Sequence, residues 1–292
     1  LELIIQDKWD IEGFDAVIGN PPYEERDHIT GRSKGGTNLY MKFINYLFNN
    51  IKEKGFLVFI TPITWLSPSS NKQMGGDILH NIYMKYDLLY LNLNECKKYF
   101  PKVGSTFSYY IISKSITRDL NTKIISQYKN DITDSYINMK KLYDFKFLPI
   151  HINNDTIDLI KKIIYNKNTI NINRCRKLDS SAKATKKHLS LIKSDIFKYI
   201  TYHTTTKTYY SDIKLDIYDK SKILLNMSGY LHPEKKVNCN LTESKYYILI
   251  KNDEEYNKII NVLNSKDVIE YLKLCKYSGF NSRPVLESIT YI

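Results

Sequence analysis

The sequence has no long hydrophobic run and few cysteines. No stretch of the 292 residues approaches the roughly 18 consecutive apolar residues that a membrane-spanning helix needs, which excludes a transmembrane protein. The four cysteines lie far apart without a Cys-x-x-Cys pair, and the six histidines show no ligand spacing. Neither a zinc site nor a disulfide framework is therefore predicted. We expect an intracellular protein without a metal, whose cysteines are buried thiols.

Acidic residues are outnumbered, and the basic excess is unevenly spread. The chain has 43 Lys and Arg against 31 Asp and Glu. Residues 1–120 carry 14 basic and 13 acidic side chains, whereas residues 121–292 carry 29 and 18. The abundance of Asn, Lys, Ile and Tyr is typical of an AT-rich genome, but that bias alone would raise Lys throughout the chain. The uneven charge predicts that the second half contacts a polyanion such as nucleic acid.

Short apolar runs that end at turns organise the first part of the chain. Residues 24–38 are polar and Gly-rich and predict a loop. Apolar positions at helical spacing between Leu39 and Ile51 predict a helix, which Gly55 is expected to end. The order of elements predicts an α/β domain whose sheet ends in an antiparallel hairpin. The runs that predict buried strands are residues 14–19, 55–61, 86–94 and 106–113.

The composition changes near residue 118. Beyond this point the segments are shorter, with helices predicted around residues 154–165 and 253–264. We place a domain boundary between residues 116 and 145, which divides the chain into residues 1–120 and 121–292. The second domain is predicted to be α+β.

The most informative tetrapeptide is Asn20-Pro21-Pro22-Tyr23, directly after the first predicted strand. In open α/β sheets, ligands bind at the carboxyl ends of strands. Proline has no N–H, Asn20 adds an amide oxygen, and Tyr23 adds a flat aromatic ring. Acceptors from Asn20 and the Pro21 carbonyl suit the two hydrogens of an adenine amine. A proline-stiffened turn with a packed tyrosine is the structural alternative.

Five elements in the same order resemble the γ class of N6-adenine DNA methyltransferases, the TaqI-like group common in single-chain restriction–modification enzymes. The first is similar to the fourth motif of that family with its preceding strand, and the last two to the eighth motif, in which an aromatic residue packs on the flipped base. The five elements are FDAVIGNPPY (14–23), the helix beginning Asn38-Leu39-Tyr40, FLVFITPITWL (56–66), Tyr99-Phe100-Pro101 and the strand 106–113. A weaker resemblance to the target-recognition half of such enzymes involves residues 226–229, 263–265 and 277–280.

The resemblance implies a fold and an activity. Residues 1–120 would form an incomplete Rossmann-like methyltransferase sheet, and residues 121–292 a target-recognition domain that binds duplex DNA. The enzyme would transfer a methyl group from S-adenosylmethionine to N6 of a flipped adenine, with no metal. In the catalytic tetrapeptide, Asn20 and the carbonyl of Pro21, stiffened by Pro22, would hold the amine. Tyr23 and Phe100 would stack on the base.

Other site residues follow with weaker support. Asp7, near Trp9, resembles a degenerate third motif that would contact the cofactor together with Asn20, although a plain surface aspartate is the alternative. Charge alone suggests phosphate contacts in the second half, and each of these is also compatible with a solvated lysine. The candidates are Lys186, Lys187, Lys207, Lys222, Lys235 and Lys236.

The cofactor loop of the family has no counterpart in this sequence. The family places a Gly-rich loop upstream of the tetrapeptide, but Gly-x-Gly occurs nowhere here, and only nineteen residues precede Asn20. We therefore expect the chain to be a carboxyl-terminal portion, inactive alone, that needs an amino-terminal cofactor-binding segment in cis or in trans.

Two alternatives stay open at this stage. The same tetrapeptide occurs in enzymes that methylate RNA or a glutamine side chain, although glutamine offers no ring on which Phe100 could stack. The other alternative is a remnant that binds DNA and has lost catalysis.

Overall fold

The computed structural model describes residues 12–26, 33–68, 78–93, 95–99, 106–128, 130–164 and 168–291. The chain divides into two compact units, Leu1–Asp158 and Leu159–Ile292. The first contains a six-stranded sheet and the second contains two four-stranded sheets, with helices in both. The predicted mixture of α and β structure is confirmed.

The first unit is built on a mixed sheet. Its strands are β1 (Phe14–Gly19), β4 (Ile51–Pro62), β5 (Asp87–Leu93), β6 (Phe107–Ser113), β7 (Thr122–Tyr128) and β8 (Asp131–Ile137). Their order across the sheet is β1-β4-β6-β5-β7-β8. β1, β4, β5 and β7 run in one direction, and β6 and β8 run against them.

Shorter elements complete this unit. Between β1 and β4 lie a small hairpin, β2 (Glu24–Arg26) and β3 (Ser33–Asn38), and the helix α1 (Leu39–Asn49). Short helical turns follow at Ile63–Leu66, Leu79–Met84, Glu95–Lys98 and Met139–Leu142, and α2 (Asn154–Ile164) continues into the second unit.

Three expectations for this region need correction. Residues 24–38 contain a two-stranded hairpin and not only a loop. Gly55 does not end the helix: α1 ends at Asn49, and Gly55 lies in β4, where a Cβ would approach the Asp15 carbonyl to 2.9 Å. β5 and β6 pair antiparallel as predicted, but they do not end the sheet, because β7 and β8 extend it. Since these two strands pair with the first sheet, the first compact unit continues past residue 120.

The two faces of this sheet differ in burial. On one face, alternate residues such as Leu57, Phe59 and Tyr110 are buried, and α1 and the Trp65 ring cover them. Trp65 donates from its indole nitrogen to Ser108 Oγ at 3.0 Å. The residues of the opposite face are apolar as well, yet Phe56 stays 41% exposed and Ile18 77% exposed. The described residues therefore pack one face and leave the other partly open.

The second unit has shorter strands. One sheet has the order β10-β12-β11-β15 and the other β14-β13-β16-β9. A core that includes Leu178, Leu224 and Leu241 packs beneath them. The strands are β9 (Asn173–Arg174), β10 (Leu189–Ser190), β11 (Tyr199–Tyr202), β12 (Thr208–Ser211), β13 (Lys222–Asn226), β14 (Glu234–Lys236), β15 (Asn240–Leu241) and β16 (Lys245–Leu249). The helices are α3 (Lys183–Lys186), α4 (Asp253–Leu263), α5 (Lys266–Leu274) and α6 (Arg283–Glu287).

All four cysteines are buried free thiols, as predicted. Within the described part of the chain, no helix is long and apolar enough to cross a membrane.

Candidate functional site

The tetrapeptide Asn20–Tyr23 lies at the carboxyl edge of the first sheet. It follows β1 directly, and β1 pairs in parallel with β4, so that Gly19 lies opposite Phe59. β6 runs against β4 and begins at this same edge, with Phe107 opposite Pro62. The ends of three strands therefore surround the tetrapeptide, at the place in an α/β sheet where ligands bind.

Contacts within and beyond the tetrapeptide fix its shape. The Tyr23 hydroxyl donates a hydrogen bond to Asn20 Oδ1. The Tyr23 ring lies 5.3 Å from the Phe107 ring, centroid to centroid, with their planes inclined at 44°. The Tyr23 carbonyl accepts from Leu39 N at 3.0 Å, which ties the tetrapeptide to the start of α1. Tyr23 thus connects the tetrapeptide to α1 and to β6.

The residues of the tetrapeptide differ in their burial. Pro21 is buried, while Asn20 and Pro22 are exposed. Burial raises the pKa of Tyr23, partly offset by its hydrogen bond to Asn20, so the phenol stays protonated and a donor at neutral pH. Because an amide oxygen has two lone pairs, Asn20 Oδ1 retains one acceptor site beside the Tyr23 ring. This arrangement can receive a planar group that carries an N–H donor.

A polar cluster that the sequence analysis missed lies at the same edge. Asn92, buried near the end of β5, donates from Nδ2 to Glu95 Oε2 and, at 3.1 Å, to the Tyr109 hydroxyl. A hydrogen bond from Lys98 lowers the pKa of Glu95, so the carboxylate is ionised. No described group donates to Asn92 Oδ1, although it is buried. A lone asparagine within an apolar strand was the sequence feature that could have indicated this cluster.

Two predicted site residues cannot be placed. Phe100 and Asp7 both lie outside the described residues, as does Trp9. Phe107 is instead the aromatic residue that the structure places against Tyr23, and the sequence analysis assigned it only to a strand. The proposed stacking role of Phe100 and the proposed cofactor contact of Asp7 stay predictions.

The six candidate lysines of the second unit fall into three groups. Lys222 is fully buried, and its ammonium group donates to the carbonyls of Tyr218 and Lys220 at 3.1 and 2.7 Å. Burial lowers its pKa. Because the ammonium faces inward, Lys222 is not available to a phosphate, and its predicted role is corrected. The other five lysines form two groups. Lys235 and Lys236 form ion pairs with Asp253 and Glu234, respectively. The remaining three side chains are exposed: Lys186, Lys187 and Lys207.

Two of the weaker motifs meet in the second unit. Ser228 and Phe280 form an isolated β-bridge. Asn281 N donates to the Met227 carbonyl at 2.7 Å, and its side chain donates to the Asn226 carbonyl at 2.9 Å. Next to this junction is a pocket of about 290 Å³, lined in part by the turn that joins β11 to β12. Segments some 50 residues apart therefore form one local structure.

The chain also resembles known proteins, and one comparison matches part of it to a family. Residues 4–85 match the family described as Eco57I restriction-modification methylase. This match confirms the resemblance to restriction–modification methyltransferases, and it includes the tetrapeptide. The finer assignment to the γ class stays a prediction. A comparison with curated proteins gave no match.

Similar solved structures include large restriction–modification enzymes. The Type IIL enzyme MmeI in complex with DNA has a TM-score of 0.51 at 9% identity, over 93% of this chain and 45% of that one. A DrdV–DNA complex has a TM-score of 0.45 at 12% identity, over 91% and 42%. A nuclease-deletion mutant of the Type ISP enzyme LlaGI has 0.43 at 12% identity, over 87% and 38%. The likeness to MmeI supports the fold, and this chain spans less than half the length of each of these structures.

Among the residues that the structure describes, no group of three or more His, Cys, Asp or Glu side chains could hold a metal ion.

Proposed function

We propose that this chain is part of a DNA methyltransferase of a restriction–modification system, which methylates N6 of a flipped adenine in duplex DNA. The observation that carries this proposal is the hydrogen bond from the Tyr23 hydroxyl to the Asn20 amide oxygen, which keeps this acceptor and the Tyr23 ring together at the carboxyl edge of the sheet. This pair lies within residues 4–85, the segment that matches a restriction-modification methylase family. A planar base with an exocyclic amine fits both features.

The chemistry assigned to these residues is positioning. Asn20 Oδ1 and the Pro21 carbonyl each accept one hydrogen of the amine. These two bonds draw the nitrogen lone pair out of conjugation with the ring, which makes it a better nucleophile toward a methyl group. The Tyr23 ring stacks on the base, an interaction of about 1–3 kcal/mol per base, and Phe107 supports that ring from beside it. Geometry of this kind can supply much of the rate enhancement.

The described residues do not form a complete site for S-adenosylmethionine, the methyl donor we propose. The sequence has no Gly-x-Gly, and the open face of the first sheet bears exposed apolar side chains such as Ile18 and Phe56. β1 is the edge strand on that side of the described sheet, so its outer backbone groups are available to a further strand. We therefore propose that an amino-terminal cofactor-binding segment, in cis or in trans, pairs with β1 and covers this face.

Charge supports nucleic acid over the glutamine alternative. Residues 159–292 carry 24 Lys and Arg against 13 Asp and Glu, which is nearly all of the net charge of +12. The second compact unit is therefore strongly basic, while the unit with the tetrapeptide is almost neutral. A strongly basic unit in the same chain as the proposed base-binding tetrapeptide favours a nucleic-acid substrate.

The test of this function is methyl transfer by the chain supplied with the amino-terminal segment. Tritiated donor should label duplex DNA, and matched RNA and a glutamine-containing peptide should stay unlabelled. Labelling of RNA or of the peptide alone would select the corresponding alternative. DNA binding without any transfer would support the catalytically inactive remnant.

The exposed and buried lysines should differ in their effect on DNA binding. For the full chain, the slope of log affinity against log salt should fall by about one in Lys186→Ala and in Lys207→Ala, because each contacts a phosphate. Lys222→Met should leave the slope unchanged, since that ammonium is already bound to carbonyls. Fluorescence anisotropy at several salt concentrations measures the slopes, with circular dichroism to verify folding. If the salt slope fell equally in Lys222→Met, Lys222 would be a phosphate contact after all.

A further inference from the structure

A surface loop of the second unit presents three large apolar side chains to solvent. Residues 191–198 join β10 and β11, the two strands that flank β12. Leu191 is 64% exposed, Ile192 76% and Ile196 67%. An isolated exposed aliphatic residue is ordinary, but three on one short loop form a patch of the kind that marks a binding site.

Hydrogen bonds within the loop order its backbone. Ser190 Oγ donates to the Ile192 carbonyl at 2.8 Å and accepts from Ile192 N at 3.0 Å. Ser194 Oγ accepts from Phe197 N at 3.1 Å, and Ser194 N donates to the Phe197 carbonyl at 3.2 Å. Because two serine hydroxyls already order the backbone, little conformational entropy remains to be lost when the loop binds a partner.

The charge around the loop identifies the chemistry of that partner. Residues 172–210 contain nine Lys and Arg against two Asp and Glu, whereas residues 211–292 contain twelve against eleven. The excess positive charge of the second unit is thus concentrated in the segment that includes the loop. Lys193 and Lys198 are exposed within it, and Asp195 is its one acidic residue. A polyanion complements this surface, and a neutral or basic protein complements it less well.

We propose that Leu191, Ile192 and Ile196 form a wedge that inserts between base pairs of duplex DNA. The proposal rests on the proposed function, because it takes DNA as the substrate. Aliphatic side chains inserted at a base step unstack it, while neighbouring lysines contact the phosphates on either side. Unstacking is part of the free-energy cost of turning a base out of the helix.

A wedge predicts a preference for DNA that is already partly unstacked. The full chain should bind a short duplex with one abasic site about tenfold more tightly than the intact duplex, because the cost of unstacking is reduced there. In the triple variant Leu191→Ser, Ile192→Ser, Ile196→Ser this ratio should fall to about one. The fluorescence of 2-aminopurine next to the abasic site should rise with the wild type and not with the variant.

Two control variants separate the wedge from the surrounding charge. Val237→Ser removes an exposed apolar side chain elsewhere in the same unit and should keep the tenfold ratio. Lys193→Ala combined with Lys198→Ala should lower the salt slope and keep the ratio. All of these positions are exposed, so the variants are expected to fold.

The outcomes are distinguishable. If the triple variant keeps both the ratio and the fluorescence change, the wedge is wrong while DNA remains the substrate. If the wild type binds no duplex at all, the DNA part of the proposed function fails together with the wedge. If the substitutions abolish self-association measured by light scattering and leave DNA binding unchanged, the loop is a protein interface and the proposal is overturned.

Discussion

Replacing Asn20 with alanine should lower kcat for methyl transfer by about 100- to 1,000-fold in the enzyme assembled with its amino-terminal segment. Asn20 supplies one of the two acceptors for the amine, and loss of one preorganised hydrogen bond at a reacting group has effects of this size. Tyr23→Ala should have a comparable effect, because the base loses the ring on which it stacks. Single-turnover transfer of tritiated methyl groups to duplex DNA measures both variants.

Tyr23→Phe is the matched control. It keeps the ring against Phe107 and removes only the hydrogen bond to Asn20 Oδ1. We expect kcat within about tenfold of the wild type, since the phenol orients the amide without contacting the amine and a neutral hydrogen bond contributes about 1 kcal/mol. Wild-type kcat in Tyr23→Ala would show that the ring does not bind the base.

The chain alone should give no calorimetric signal for S-adenosylmethionine and no methyl transfer. The donor carbon must lie about 3–3.5 Å from the amine, and a misplacement of about 1 Å can lower the rate about 100-fold. The described residues do not provide the loop that would hold the donor there. Addition of the amino-terminal segment, as a fusion or as a separate chain, should restore both cofactor binding and transfer.

Ile18→Glu tests whether that segment docks on the open face of the first sheet. Ile18 lies on the edge strand and is 77% exposed, so the variant should fold but should not assemble with a separate amino-terminal chain. Ile132→Glu places the same charge at a similarly exposed position of β8, on the far edge, and should assemble normally. Equal assembly of both variants, or micromolar cofactor affinity of the chain alone, would contradict this part of the proposal.

The strands around the tetrapeptide could be predicted because local sequence determines them. FDAVIG and GFLVFIT are apolar runs bounded by Gly or Pro, and the structure has strands at both. The helix was predicted from its apolar spacing, but its end was not. In sequence, Gly55 follows the apolar helical pattern and so resembles a helix terminator. In the structure it lies in β4, where the backbone approaches the Asp15 carbonyl. That contact depends on tertiary packing.

The polar residues at the site were harder to predict. Asn92 gives no periodic pattern, and its partner Tyr109 becomes apparent only when β5 and β6 are paired in register. Lys222 was predicted to contact a phosphate on the basis of its charge alone. Its burial depends on two backbone carbonyls that the fold brings to its ammonium group, and a single sequence contains no information on that arrangement.

The measurement that tests the central claim most directly is the identity of the methylated base. Duplex DNA incubated with donor and the assembled enzyme is digested to nucleosides and analysed by liquid chromatography and mass spectrometry. The proposed site predicts N6-methyladenine with the wild type and none with Asn20→Ala. A methylated cytosine as the product, or N6-methyladenine at wild-type levels in Asn20→Ala, would contradict the assignment of Asn20 and Tyr23 to an adenine site.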